Sequence, residues 1–356
     1  MGPRDSVAAR RHPDGVLPAL RDIDLVCPLC HQEMEVVADA YHCAPCHRTY
    51  PLHAGIPDFR VFPDPYLDFD EDRARTEIVL DGLDKQRDLE SLLVYYLSFS
   101  DVTPIPLRSK FVRSAMLAER KAARILQLLE GTTFASAVTP HTVRRVLEIG
   151  SGTGGFLAVA APHYEQVVGI DIAMRWLHVS RRRFMDHGLP VPPLVCCCAE
   201  HLPFPDGSFD LAVSAATLEF VRDQQQVVAE TARVLTGTGS LFLQTVNRFA
   251  VSGDPYVYLW GLGFLPRAWQ ARYVRWRRDA SYENIRLLSF RELHRMAARH
   301  FRSREIALPD VDSAMLAKFP PSTRVLVYLY RALKRLPPVG LALRWIGPGW
   351  DAKMGK

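Results

Sequence analysis

No stretch of about 18 uninterrupted apolar residues occurs in this 356-residue chain, which argues against a membrane-spanning helix. Nor does an apolar segment stand behind the charged start, MGPRDSVAARRHPDG. A secretory signal needs one, so residues 1–22 are predicted to be a disordered tail and the protein to be cytoplasmic. Internal repeats and long low-complexity tracts are missing, so the fold rests on unlike elements rather than stacked copies. Acidic residues are not in excess: 44 Lys and Arg against 39 Asp and Glu give a net charge of +5. That balance fits an anionic partner without requiring one, and fits an arginine-rich solvated surface equally well. Cysteine is scarce. Seven residues, an odd number without a secretory signal, argue against a disulfide framework.

What is present begins with ordinary globular composition, 48% hydrophobic and 23% charged, enough for a large domain and a smaller one. Four of the cysteines, Cys27, Cys30, Cys43 and Cys46, follow the pattern C-x2-C, twelve residues, C-x2-C. Two such knuckles can place four sulfurs around one tetrahedral Zn²⁺, and a closed four-sulfur site is structural because no position is left for water. EVV and AYHC between the knuckles read as short hairpin strands. His31, His42 and His47 are redundant as ligands and are expected at the ribbon surface. The ribbon, residues 23–60, ends in HRTYPLHAGIPDFR. Together these features resemble the small zinc-ribbon module that accompanies several bacterial methyltransferase domains. DPYLDFDEDRARTE then reads as an acidic, proline-punctuated entry to a helical linker over 61–135. Apolar spacing predicts helices over 72–98 and 108–130, the second stopped by Gly131.

From Val143 the character changes. VRRVLEI predicts a strand, Gly150, Gly152, Gly154 and Gly155 a tight turn, and FLAVAA the start of a helix. Glycine lets a ligand approach the backbone closely. QVVGIDIA predicts a second strand ending in Asp171, an acid placed to take the hydroxyls of a ribose. A nicotinamide enzyme would share this geometry. Glu148, beside the loop, is a poor neighbour for a pyrophosphate and a good one for the ammonium of S-adenosylmethionine. The continuation, CAEHLPFPDGSFDLAVSAATLEFV and then RVLTGTGSLFL, resembles the class I S-adenosylmethionine-dependent methyltransferases over about residues 143–247. The resemblance implies an α/β, Rossmann-like sheet, here with an N-terminal zinc ribbon and a helical cap. The cofactor-binding domain is expected over 136–246, the cap over 247–288, and the remainder of the domain over 289–356.

The resemblance also implies site residues. Glu148, Gly150, Gly152 and Gly154 are expected along the methionine half of the cofactor, and Asp171 on its ribose. Ile172 is expected against the adenine, Cys198, Ala199 and Glu200 along its edge, and Ser214 at the rim. PPLVCCC is expected to be the third strand, with Cys196 and Cys197 as small core residues. Adjacent strand residues face opposite ways, so the three cysteines cannot converge on a metal. Cys198 stands where relatives often carry Asp, and Phe220 where many carry His, so the adenine contact differs and a base at 220 is missing. A pocket-facing Cys198 would also leave a reactive thiol open.

The segment 247–288 is rich in aromatic residues and arginine and is expected to cover the acceptor, or alternatively to be a helix pair packed on the domain. Glu219, Asp254, Tyr256 and Tyr258 are the candidates for a proton-accepting base, none with a motif behind it, so the catalytic residue is unassigned. His178, His187, His201 and His294 are expected at the surface. RVLVYLYRALKRLPPVGLALRWIGPGW mixes apolar and basic residues. It fits either a helix completing the core or a segment lying on a membrane surface. The expected activity is methyl transfer to a small-molecule, glycan or lipid-linked acceptor, with oxygen as the expected atom. An RNA base is the alternative acceptor, favoured by the arginine-aromatic segment. A non-catalytic scaffold that keeps the cofactor fold is the second alternative. Oligomeric state has no signature in the sequence.

Overall fold

The computed structural model describes residues 13, 15–100, 103, 105–131, 143–310, 316 and 321–356. A small antiparallel sheet of β1 (Glu35–Val37), β2 (Ala40–Cys43), β3 (Arg48–His53) and β4 (Ile56–Pro57) carries the four N-terminal cysteines, with the two predicted hairpin strands as its first pair. Residues 1–12 and 14 of the predicted tail lie outside the described residues. Its remainder is no tail. Val16, Leu17 and Leu20 are buried, a 3-10 helix spans Pro18–Asp22, and Leu17 N–H donates to Gly55 O at 3.0 Å. The apolar spacing in VLPAL supplies the surface that packs there.

The ribbon is fused to the rest of the molecule. Asp58 forms a parallel bridge with Cys196, Phe59 N–H donates to Cys196 O at 2.7 Å, and Val26 N–H donates to Pro203 O at 3.0 Å. Cys27, Tyr41 and Phe59 belong to the same buried cluster as Val146 and Ile170 of the large sheet.

Four helices follow: α1 (Phe69–Lys85), α2 (Leu89–Ser98), α3 (Ile105–Met116) and α4 (Ala118–Glu130). The helices expected over 72–98 and 108–130 are therefore each divided. Asp88 supplies the reason in the first: its carboxylate accepts from Ser91 N–H and starts a new helix. The second is interrupted at Leu117, and α4 stops at Gly131 as predicted.

The large sheet contains β5 (Arg145–Ile149), β6 (Gln166–Asp171), β7 (Leu194–Cys196), β8 (Phe209–Ala215), β9 (Leu235–Val246), β10 (Ser303–Ala307) and β11 (Gly349–Gly355) in the order β10-β11-β9-β8-β5-β6-β7. Strands β5 to β9 pair in parallel, and β11 runs antiparallel between β9 and β10. This is an α/β, Rossmann-like fold. The crossover helices include α5 (Gly155–Ala160), α6 (Met174–Asp186) and α7 (Gln224–Val234), with α8 (Arg267–Arg278) and α9 (Phe290–Ala297) after β9. Two further helices, α10 (Pro321–Lys334) and α11 (Pro337–Ile346), precede β11. The C-terminal helices do not complete the core; α11 has no buried residue, and β11 fills that role. No described helix is long and apolar enough to cross a membrane.

Candidate functional site

The carboxyl ends of β5, β6 and β8 open onto one cavity of about 560 Å³, within the ~300–1,000 Å³ typical of small-ligand sites. This is the crevice where open parallel sheets bind ligands. Its near wall is the loop after β5. Gly150 has φ +77°, and a Cβ there would meet Thr217 Oγ1 at 2.2 Å, so only glycine fits. Gly152 has φ +49° and open space before it; its N–H donates to Asp171 Oδ2 at 2.8 Å. Asp171 Oδ1 accepts from Ala173 N–H at 2.9 Å. Burial pushes this carboxyl up to about 6 against those two hydrogen bonds. Each oxygen keeps a lone pair for a further donor.

Of the ten expected cofactor residues, Gly150, Gly152, Asp171, Ile172, Ala199 and Glu200 line this cavity, and Glu148, Gly154, Cys198 and Ser214 do not. Gly154 caps α5 with φ +74°. Ser214 is buried within β8. Glu148 is buried at the end of β5, its Oε2 has no partner among the described residues, and burial holds its carboxyl well above the ordinary range. Glu200 Oε1 accepts from the backbone N–H groups of Arg222 and Asp223 at 2.7 and 3.1 Å, tying two wall segments together.

Cys198 requires a correction. The strand ends at Cys196, two residues before expectation, and Cys197 N–H donates to Asp171 O at 3.0 Å. Cys197 thereby reaches the cavity wall, while the Cys198 thiol turns to Phe62 O at 3.4 Å and is fully buried. Burial pushes the Cys198 thiol up to about 11, so it is no reactive thiolate.

The cavity cover also differs from expectation. No residue of 247–288 lines it; Phe62, Asp64, Pro65 and Tyr66 of the supposed linker do, with Phe111 of α3. The insertion reaches the wall indirectly, through Tyr256 packed edge-on against Phe220 at 5.0 Å, and holds a small apolar centre of its own around Leu262 and Val274. Phe111 stacks on Trp176 at 5.2 Å, and the Arg222 guanidinium lies 4.1 Å from the Phe62 ring centre. Sequence spacing gave no warning of these aromatic walls. The aromatics inside acidic FPDPYLDFD were the available signal.

Asp64 of that segment and Asp72 just after it are buried rather than solvated linker charges. Asp72 is fully buried: Oδ2 accepts from Arg60 Nη1 at 2.7 Å and from Met174 N–H at 3.2 Å, and Oδ1 pairs with Arg175. Arg175 also reaches Asp64 Oδ2 at 3.2 Å, and Arg60 donates to Asp58 and to Ile172 O. The network joins the ribbon's exit, the cover and α1 to residues 172–175, next to Asp171.

None of the base candidates lines the cavity. Glu219 is buried and accepts from Thr245 Oγ1 and Val246 N–H, both at 2.8 Å. Asp254 accepts from Tyr256 N–H, Val257 N–H and the Tyr282 hydroxyl. Tyr258 is exposed. His178 is not a surface residue: it is fully buried on α6, and burial pushes it down to about 3. His187 and His294 are exposed as expected, and His201 is half-buried.

In the ribbon, the Sγ atoms of Cys27, Cys30, Cys43 and Cys46 all lie within 4.8 Å of one another. Cys30 and Cys43 stand 3.5 Å apart, Cys27 and Cys46 3.9 Å. Tetrahedral corners about 2.3 Å from a zinc ion are ~3.8 Å apart, so the donor set fits that ion. His31 and His47 are exposed and His42 half-buried, and none joins the cluster.

Residues 147–243 match the family model described as "Methyltransferase domain". Among curated relatives, the malonyl-[acyl-carrier protein] O-methyltransferase of Laribacter hongkongensis is 32% identical over 150 residues, which cover 40% of this chain and 50% of that protein. The ubiquinone biosynthesis O-methyltransferase of Chromobacterium violaceum is 33% identical over 165 residues, 44% of this chain and 63% of the relative. The chain spans about half the length of the first curated relatives it matches. A solved structure from Thermotoga maritima, described as a methyltransferase using S-adenosylmethionine and possibly a histamine N-methyltransferase, aligns with a TM-score of 0.43 and 20% identity, over 70% of this chain and 97% of that one.

Proposed function

We propose that this chain is an S-adenosylmethionine-dependent methyltransferase with a structural zinc ribbon, and that it methylates a small-molecule or lipid-linked acceptor at an oxygen that arrives ionised. The observation carrying this reading is the meeting of the Gly150–Gly152 loop and Asp171 at one aromatic-walled cavity. Asp171 would take the ribose hydroxyls and Ile172 the adenine, with Cys197, Ala199 and Glu200 along its edge. Gly150 and Gly152 would leave room for the methionine half, and the aromatic faces of Phe62, Tyr66, Phe111 and Phe220 favour a cation nearby. When bound, the cofactor supplies a methyl group already activated on a sulfonium.

The chain's own contribution is then positioning and exclusion of water. Residues 62–66 and Phe111 cover the cavity, and Trp176 backs the cover through Phe111. The carboxylates at the wall are committed: Asp64 to Arg175 and to Tyr66 N–H, Glu200 to the 222–223 backbone, Asp171 to the loop. With Asp171 taken by the ribose, and Asp64 and Glu200 already holding these donors, a carboxylate or phenolate acceptor, which needs no base, is favoured over a neutral alcohol. The relatives named above are consistent with that choice, one for a malonyl group and one for a ubiquinone precursor. Exposed Arg222, at the wall, gives an anionic acceptor a counter-charge. The four cysteines would hold Zn²⁺ as a closed structural site.

Calorimetry with S-adenosylmethionine tests the reading. Micromolar binding is expected, abolished in Gly152→Arg, whose side chain would fill the open space before the loop, and weakened at least roughly tenfold in Asp171→Ala. Unchanged affinity in both variants would remove the pocket assignment. Labelled methyl taken up by total RNA, and not by a lipid-and-metabolite extract, would replace the acceptor class with a nucleic acid.

A further inference from the structure

A helix in a layered fold normally buries one stripe. Here α11 buries none, and α10 turns an apolar stripe outward: Val325 is 65% exposed and Leu329 53%, with Tyr328 and Leu336 beside them. On α11, Leu341 and Trp345, one turn apart, are likewise more than half exposed. The opposite side of α10 is pinned. Tyr330 O–H donates to Pro309 O at 2.9 Å, and Arg331 and Lys334 pair with Asp310 at 2.8 and 2.9 Å. The stripe's outward direction is therefore fixed by the fold.

Charge follows the same plan. Residues 321–346 contain Arg324, Arg331, Lys334, Arg335 and Arg344 and no Asp or Glu. Between the two helices and β10 lies an open cleft of about 570 Å³, with Ile306, Leu308 and Leu341 in its walls and Lys334, Arg335 and Arg344 around them. Arg335 and Arg344 are exposed, and no carboxylate pairs with either among the described residues. The apolar surface continues past α11. Val251 N–H donates to Ile346 O, and Trp260 Nε1 donates to Val251 O, both at 3.0 Å; Val251 and Trp260 are themselves exposed.

We propose that the face formed by α10 and α11 binds the anionic surface of a phospholipid bilayer, with a headgroup phosphate held between Arg335 and Arg344. Aliphatic and tryptophan side chains flanked by cations suit the boundary between acyl chains and headgroups. A nucleic acid would use the cations and leave Val325, Leu329 and Leu341 in water. The inference does not depend on methyl transfer.

The test is co-sedimentation of the full chain with phosphatidylcholine vesicles, with and without phosphatidylglycerol. Binding to the anionic vesicles should be at least about tenfold stronger and should weaken with salt. The pair Leu329→Glu and Leu341→Glu should lower binding about tenfold or more at an unchanged melting temperature. The pair Arg335→Gln and Arg344→Gln should remove the preference for phosphatidylglycerol, and it carries the test alone if the first pair does not fold. Equal binding to both vesicle types, binding undiminished in both variants, or no vesicle binding beside a self-association or RNA binding that Leu329→Glu with Leu341→Glu abolishes, would each overturn the proposal.

Discussion

Replacing Asp72 by alanine removes the carboxylate shared by two buried guanidinium groups. Arg60 loses a partner at 2.7 Å, Arg175 loses its closer carboxylate, and Met174 N–H loses an acceptor. Breaking a buried pair by deleting one member costs about 3–5 kcal/mol, because the surviving charge stays buried. Arg60 retains Asp58 and Arg175 retains Asp64, which places the expected loss near the lower end, about 3 kcal/mol. For a chain of this size that corresponds to a melting temperature lower by roughly 4–6 °C. The same change should reach the cavity. Asp72 and Arg60 together hold Met174 N–H and Ile172 O, which flank the segment after Asp171, so S-adenosylmethionine affinity should fall at least about tenfold, or 1.4 kcal/mol. Urea denaturation followed by circular dichroism reads the first quantity and calorimetry on the folded variant reads the second. Asp72→Asn keeps an acceptor for Met174 N–H and should lose less of both. A loss under about 1 kcal/mol in Asp72→Ala, or destabilisation with unchanged cofactor affinity, would refute the coupling of this network to the cavity.

Two further outcomes are expected. Elemental analysis should find one zinc per chain, absent from Cys27→Ser with Cys43→Ser; since both cysteines lie in the core shared with the large sheet, that variant should also melt lower, and a zinc-free, fully stable wild type would end the metal assignment. Asp171, pushed up to about 6, should make binding and stability respond to pH in opposite directions. With Asp171 as the proposed ribose ligand, its ionised form would accept the hydroxyls, so cofactor affinity should decline as pH falls through about 6, while this carboxyl's contribution to folding is full below its ordinary value of 3.8 and is lost as pH rises through about 6. Affinity constant between pH 7 and pH 5 would count against Asp171 as the ribose ligand.

The elements legible in the sequence are those whose signal is local. The glycine turn after RVLEI, the acid ending QVVGID and the paired knuckles each state their geometry within a few residues, and the structure has the strands and turns there. What escaped depends on distant partners. Asp64 and Asp72 looked like solvated linker charges because Arg60 and Arg175 lie elsewhere in the chain. His178 and the buried arginines of α6 sit in a helix whose composition reads as exposed. Strand β11, GWDAKMG, has Asp351 and Lys353 buried within it, so no apolar alternation announced it. Cys197 and Cys198 exchanged expected positions because the strand stops at Cys196, two residues early, so the turn that follows and not strand alternation decides where their side chains point.

The position of β11 between β9 and β10 also constrains how this chain is made. Synthesis delivers strands β5 to β9 long before residue 355, and until then β9 and β10 cannot acquire the neighbour that joins them. A nascent chain therefore carries an unpaired strand edge next to its growing core, the kind of surface that invites pairing with other chains. The ribbon and the glycine-loop half can assemble during translation, whereas the sheet closes in one late step. Substitutions that slow the docking of residues 349–355 should thus reduce the yield of folded protein more than its final stability.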